Sequence, residues 1–236
     1  MALPQKFRDR TQAGAQLATQ LQDYANSDVV VLGLPRGGVP VAFEVAMALK
    51  APLDLCVVRK LGVPGHEELA MGAIAANVRY LNRAVLRQYG LATAEINQVI
   101  QKEEQELARR ELAYRSNRPP VGLVGQVAIV VDDGLATGAT MRAAIAAIQR
   151  QSPKAIVVAV PVAAPQICQR LKRKVDAVVS VRTPECLGAI GLWYEDFSQT
   201  TDEEVQGLLH HMTQVRQARA DGLTEDVLLG EAEMDP

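Results

Sequence analysis

Short unbroken apolar runs recur along this chain, each followed by a loop and then by apolar positions at helical spacing. Val29 to Leu32, Leu55 to Val58, Val127 to Val131, Ala155 to Val160 and Ala177 to Val181 have the length and β-branching of strands covered on both faces of a parallel sheet. Between them, Ala13, Leu17, Leu21 and Tyr24 mark a first amphipathic helix. Val39 to Leu49, Met141 to Gln149 and the region of Gln166 to Lys172 read as further helices, and Asp202 to Val215 as a closing one. Arg59 to Leu69 reads as a polar loop, and Met71 to Ala75 with Val78 to Leu81 as a small hairpin. From Asn82 to about Arg118 the pattern is helical, with Ile96, Ile100 and Leu107 on one stripe and Glu103, Glu104, Glu106, Arg109 and Arg110 elsewhere, which predicts a solvated helical insertion. Strands alternating with helices predict an α/β fold with a doubly wound parallel sheet and ligands at the carboxyl ends of its strands.

Composition narrows this reading without redirecting it. With 236 residues, 48% of them hydrophobic, the chain can bury one good core, and a single domain over residues 1–220 is expected. Residues 221–236 carry six acidic and no basic side chains, so a mobile tail is expected there. A net charge of −2 gives no electrostatic footprint for nucleic acid. Cys56, Cys168 and Cys186 are odd in number and unclustered, which argues against a disulfide framework or a zinc site and fits a reducing cytoplasm. No apolar run approaches the roughly 18 residues of a membrane span, and no signal-peptide pattern is expected at the start.

The chemistry concentrates in Val127-Ala128-Ile129-Val130-Val131-Asp132-Asp133-Gly134-Leu135-Ala136-Thr137-Gly138-Ala139-Thr140, where a buried strand ends in two carboxylates and a small-residue loop opens a helix. Unpaired backbone N–H groups of Thr137 to Thr140, with the helix dipole behind them and two hydroxyls beside them, can hold a phosphate. Asp132 and Asp133 can accept hydrogen bonds from a diol a few ångströms away, and phosphate plus diol describes a ribose 5-phosphate. Taken as loose pieces, Asp-Asp-Gly is also a common turn and Thr-Gly-Ala-Thr an ordinary helix entry. A nucleotide P-loop is excluded because Ala139 stands where its lysine belongs, and the G-x-G-x-x-G dinucleotide fingerprint is absent.

As a whole string, apolar residues followed by Asp-Asp, two spacers and Ala-Thr-Gly-x-Thr resembles the phosphoribosyl-pyrophosphate (PRPP) motif of type I phosphoribosyltransferases, most closely that of adenine phosphoribosyltransferase. The resemblance spans roughly residues 28–81 and 121–200, and it implies the fold of that family. Gly33-Leu34-Pro35-Arg36-Gly37-Gly38 is similar to the family's pyrophosphate loop, which implies diphosphate binding by Arg36, Gly37 and Gly38 and, when ligand is bound, a non-proline cis peptide between the residues matching Arg36 and Gly37. Arg59-Lys60-Leu61-Gly62-Val63-Pro64-Gly65-His66-Glu67-Glu68 resembles the flexible catalytic loop, so Arg59 and Lys60 would neutralise pyrophosphate and Glu67 or Glu68 would be the acid/base. As a plain reading, the same stretch is a solvated connection. Ile190 to Phe197 resembles the hood (about residues 182–200), which would place Trp193 and Tyr194 on the acceptor base; packing at the edge of the core is their other reading. His66 reads as a loop residue, and His210 and His211 as solvated.

By that resemblance the reaction is Mg²⁺-dependent transfer of the 5-phosphoribosyl group of PRPP to a nitrogenous acceptor, by a homodimer in the cytoplasm. The 5-phosphate would rest on Ala136, Thr137, Gly138, Ala139 and Thr140, and Mg²⁺ would arrive with PRPP, Asp132 and Asp133 being its candidate protein partners. Members acting on hypoxanthine or guanine carry an aspartate where this chain has Ala136, so 6-oxopurines are disfavoured acceptors. A PRPP-sensing regulator without turnover is the alternative, and a plain scaffold would leave three motifs in family order unexplained.

Overall fold

A computed structural model describes residues 6–75, 78–115 and 119–221, Glu68 by its backbone alone. In chain order the elements are α1 (Arg10–Thr19), β1 (Val29–Gly33), α2 (Gly38–Leu49), β2 (Leu53–Leu55), β3 (Val58–Val63), β4 (His66–Ala75), β5 (Val78–Leu81), α3 (Arg83–Gln88), α4 (Thr93–Arg115), β6 (Val127–Val131), α5 (Ala139–Gln149), β7 (Ala155–Val162), α6 (Pro165–Leu171), β8 (Ala177–Arg182) and α7 (Asp202–Ala220). Five strands form a parallel sheet in the order β2-β1-β6-β7-β8. The expected α/β architecture is therefore present.

Strand alternation explains why the apolar runs are unbroken. Val29, Val31, Ile129, Val131 and Val157 pack on one face with α1 and α2, while Val30, Leu32, Ala128, Val130 and Val158 pack on the other with α5 and α6. Each fully buried valine, leucine or isoleucine among them contributes about 1.5–3 kcal/mol through removal of apolar surface from water. The same topology positions the site. β1 and β6 are neighbours in register, Gly33 opposite Val131, yet β1 leads into α2 on one face and β6 into α5 on the other. Their loops consequently part at the carboxyl ends of the two strands, opening the crevice in which sheets of this kind take ligands.

Arg59 to Leu69 is not the polar loop that its charges suggest. It is a hairpin, β3 to β4, joined by Pro64-Gly65 with Gly65 at φ +75°, the Pro-then-Gly order of a type II turn. Together with β5 it makes a second, antiparallel sheet in the order β3-β4-β5. The strand pattern was hidden because Leu61 and Val63 alternate with Lys60 and Gly62, and only the apolar set is buried. β5 pairs with β4 as the apolar pattern predicts.

The insertion is helical as expected, although it is not simply solvated. Ile100, Leu107 and Tyr114 of α4, seven residues apart, are buried in the same cluster as Leu61, Met71 and Ile74 of the hairpin and Val205, Leu209 and Met212 of α7. Arg115 at its end binds the buried Asp54 and the Leu55 carbonyl, and Asp54 also accepts from Val121 N–H, so the chain's return to β6 is fastened to β2. Residues 116–118 of the insertion and the acidic tail beyond Asp221 lie outside the described residues. Among the described residues no helix is long and apolar enough to cross a membrane, and all three cysteines are unbridged. Burial pushes the Cys56 thiol up to about 12. His211 is half-buried, its ring 5.5 Å from that of Phe43, rather than solvated.

Candidate active site

The loop after β6 is held from several sides. Leu135 N–H donates to Val162 O and Ala164 N–H to Leu135 O, which extends the β6/β7 pairing past the end of β6. Gly134 lies so close to Ile190 that a Cβ would sit 2.6 Å from its side chain. Gly138 takes φ +66° ahead of the first turn of α5, a conformation for which glycine is the natural residue. Thr137 Oγ1 accepts from Ala139 N–H at 3.4 Å, and Arg142 Nη1 donates to Thr137 O at 2.9 Å. Ala136, Thr137 and Thr140 are exposed around this helix start. The arrangement leaves an exposed polar loop at the positive end of the α5 dipole.

Asp132 and Asp133 stand beside it at the end of β6. Asp132 Oδ1 accepts from Asp133 N–H at 2.9 Å. Asp133 Oδ2 accepts from both Nε and Nη2 of Arg10, at 3.0 and 2.9 Å. Burial, reinforced by the Asp133 charge, holds the Asp132 carboxyl well above the ordinary carboxylate range. Asp133 is also raised by burial, with Arg10 acting against that shift. Arg10 further donates to Ser198 O at 2.7 Å and lies over the Phe197 ring at 4.1 Å. It is a residue that the sequence reading missed, since it opens a helix whose apolar stripe begins three residues later. Its charge at the start of α1, where the dipole disfavours a cation, was the one available signal.

The Gly37-Gly38 loop closes the other wall of the crevice. A Cβ on Gly37 would collide with Asp133 Oδ2, and one on Gly38 would lie 2.7 Å from Val131 O and 2.8 Å from Asp132 Cα. The two glycines are thus required for the β1 loop to lie against the carboxylate pair, and Leu34 N–H donates to Val131 O at 2.9 Å. The non-proline cis peptide is Pro35-Arg36, one bond earlier than the resemblance implied. Arg36 Nη1 is 3.6 Å from Asp202 Oδ1 at the start of α7, and the same oxygen accepts from Tyr114 of α4 at 3.0 Å.

Arg59 and Lys60 do not act as one cationic patch. Because they are consecutive strand residues, they face opposite sides of the hairpin sheet. Arg59 pairs with Glu103 of α4 at 2.6 Å, while Lys60 lies with its cross-strand neighbour Ala73 on the side that meets α5. Glu67 is exposed on β4 just past the turn, where its carboxylate accepts from Gly65 N–H at 3.3 Å.

Trp193 and Tyr194 are core residues in this structure rather than open stacking faces. Trp193 Nε1–H donates to Leu187 O at 2.9 Å and is 9% exposed. Tyr194 is 2% exposed, packs against Phe7 and Phe197, and donates its hydroxyl to Asp133 O at 2.7 Å. Burial and the nearby carboxylates raise that hydroxyl far above the usual tyrosine range, so it stays a donor. Leu192 and Phe197 are the large apolar residues that this segment exposes.

A parallel sheet with a carboxylate pair and an exposed helix start at its switch point defines a class, and comparison with known proteins agrees: the chain belongs to the phosphoribosyl transferase domain family, which matches residues 7–190. Two Mycobacterium tuberculosis proteins, of strains CDC 1551 / Oshkosh and ATCC 25618 / H37Rv, each named "Putative phosphoribosyl transferase", are 48% identical to it over 204 residues. The match covers 86% of this chain and 46% of each relative, so the chain spans about half the length of the curated relatives it matches. The crystal structure of TT1426 from Thermus thermophilus is similar at 41% identity with a TM-score of 0.80, over 86% of this chain and 97% of that one.

Proposed function

We propose that this protein is a Mg²⁺-dependent phosphoribosyltransferase that moves the 5-phosphoribosyl group of PRPP to a nitrogenous, nucleobase-like acceptor and releases diphosphate. The observation that carries the reading is the juxtaposition, at the β1/β6 switch point, of Asp132 and Asp133 with the Thr137 to Thr140 helix start and the Gly37-Gly38 wall. In this reading the 5-phosphate rests on Ala136 to Thr140, the ribose hydroxyls on Asp132 and Asp133, and the diphosphate along Arg36, Gly37 and Gly38. The C1–O bond to diphosphate breaks as the C1–N bond forms, and the proton that the acceptor loses passes to Glu67 or Glu68. Arg36 and Arg59, the latter exchanging Glu103 for the ligand, offset the charge that gathers on the departing diphosphate. A single well-placed donor to such a charge is commonly worth about 3–4 kcal/mol of the barrier.

Among the described residues no group of three or more metal-ligating side chains is assembled. The donors present beside the α5 helix start, the carboxylates of Asp132 and Asp133, fit Mg²⁺, which keeps several waters and typically takes one or two carboxylates together with substrate phosphates. When bound with PRPP, it supplies neutralisation of the diphosphate. With Trp193 and Tyr194 packed inside, the acceptor is assigned instead to the exposed Phe197 and Leu192. A homodimer acting in the cytoplasm belongs to the same proposal, and light scattering checks the former.

The alternative, a PRPP-binding regulator without significant turnover, draws on Glu103 holding Arg59 and Asp202 lying beside Arg36. A screen of nucleobases and other amines for PRPP-dependent diphosphate release separates the two. Release with at least one acceptor upholds the transferase; PRPP binding with no release from any acceptor favours the regulator.

A further inference from the structure

Charge is unevenly shared along this chain. Of its 25 basic and 27 acidic residues, seven basic and no acidic ones fall between Gly134 and Val175, so the overall charge of −2 conceals a segregation. That stretch carries α5, β7 and α6. Both helices pack on the same face of the sheet and run side by side: a Cβ on Gly138 would lie 2.9 Å from Ile167 near one end, and Gln149 Nε2 donates to Lys174 O at 3.0 Å near the other. β7 pairs with β8, Val157 opposite Ala177, and Asp176 N–H donates to Ile156 O, so the turns that lead into the two strands, residues 150–154 and 172–176, are neighbours. Arg150, Lys154, Arg170, Lys172, Arg173 and Lys174, all exposed, are thereby gathered at the amino ends of the strands, the end opposite the carboxylate-lined crevice. Arg142, at the far end of α5, bonds Thr137 O and is not among them.

Cations elsewhere in the molecule are balanced: Arg59, Arg79 and Arg110 each face a glutamate of α4. None of the six has an ion-pair partner among the described residues. Asp176, the acidic residue of the second turn, gives its carboxylate to Ile156 N–H at 2.8 Å, and Asp28 stands at the start of β1, two strands from β7. A cation or two after a helix complements its negative end. Six on two adjoining turns, within a screening length of about 10 Å at 0.1 M salt, repel one another and raise a positive potential that a polyanion relieves. The exposed large apolar residues, Leu192 and Phe197 among them, lie outside α5, α6 and their turns, so the face lacks the apolar side that a membrane-surface helix buries. A two-fold dimer across it would set the same cations against each other. Exposed Ser152, Gln166 and Gln169 add neutral donors of the kind that accompany cations on phosphate backbones. No aromatic side chain occurs between Gly134 and Val175, which removes the stacking on which single strands rely and favours a duplex.

We propose that the adjoining C-terminal turns of α5 and α6 bind the phosphate backbone of a double-stranded nucleic acid without reading its sequence. None of the six cations has a part in the proposed transfer reaction, so the surface is tested independently of it. Fluorescence anisotropy of labelled duplexes of roughly 20 base pairs, two helical turns, one of DNA and one of RNA, is followed as the full chain is added. At about 50 mM salt at least one duplex is expected to bind, and log K is expected to fall against log salt with a slope of about −4, as neutralising about four or five phosphates gives. The more tightly held of the two is the backbone that the surface fits. Arg173→Gln/Lys174→Gln is expected to weaken binding at least about tenfold and to reduce the slope by about 2. Lys50→Gln/Arg216→Gln, an equal loss of exposed charge at α2 and α7 on the opposite face of the sheet, is expected to change the affinity by less than about threefold. Circular dichroism verifies the fold of both variants. Failure of both duplexes to bind, equal effects of the two variants, or binding to phosphatidylserine vesicles in place of either duplex overturns the proposal.

Discussion

Replacing Arg10 with methionine keeps the apolar stem of the side chain and removes the cation that faces Asp133. The pair is largely withdrawn from water, with side-chain exposures of 12% and 17%, so a surface ion pair is the wrong reference. Breaking a buried pair by deleting one partner costs about 3–5 kcal/mol, because the other charge is left without compensation. At the lower end, and at roughly 2–4 °C per kcal/mol for a chain of this size, the loss is about 6–12 °C in Tm. The deficit depends on pH. Folded Asp133 already holds its proton more tightly than in the unfolded chain, where about 3.9 applies, and loss of Arg10 widens that gap. Between the unfolded and folded values the native state binds more protons, so its stability is lost as pH rises through that window. Urea denaturation of Arg10→Met against wild type is therefore expected to show the full deficit near pH 8 and a shrinking one toward pH 4. Adding Asp133→Asn, which removes the stranded charge, is expected to recover most of it at pH 8. A deficit under about 1 kcal/mol, or one equal at both ends of the pH range, would refute the argument that a buried charge is being balanced.

Three further outcomes are expected. Tyr194→Phe leaves the Asp133 carbonyl without its donor and should cost about 1–3 kcal/mol in chemical denaturation. Arg59→Ala should lower kcat by about 10²-fold while PRPP affinity falls by less than about tenfold, measured by single turnover with an acceptor found in the screen; equal losses in rate and affinity would reduce the residue to uniform binding. With Ala136 in place of a proton-exchanging aspartate, hypoxanthine and guanine should be poor acceptors, with kcat/KM below about 10⁴ M⁻¹s⁻¹ in steady-state assays.

The central sheet was legible because its strands are buried on both faces, and burial of that kind writes itself as a continuous apolar run, as in Val127 to Val131. The Asp132 to Thr140 string was legible because its chemistry is local: strand end, carboxylates and helix start lie within nine residues. The hairpin was obscured by Arg59, Lys60, Glu67 and Glu68, whose charges outweigh the alternating Leu61 and Val63 over so short a span. Arg10, Glu103 and Asp202 could not be found in the same way. Arg10 meets Asp133 from 123 positions away and Glu103 meets Arg59 from 44, and no spacing rule links residues that only the folded topology brings together. For Trp193 and Tyr194, which read either as an acceptor surface or as packing at the edge of the core, the structure takes the second. An aromatic pair in a site-forming segment reads as a stacking surface, whereas here the buried ring of Tyr194 positions the backbone beneath Asp133.

The central claim is that the β1/β6 crevice binds PRPP through its carboxylate pair, and calorimetric titration of Mg²⁺–PRPP tests it most directly. Wild-type protein is expected to bind one equivalent and to gain thermal stability through preferential binding to the native state. The Asp132→Ala/Asp133→Ala variant, verified as folded by its circular dichroism, is expected to lose both the heat of binding and the stabilisation. Identical titrations of the two proteins would contradict the claim.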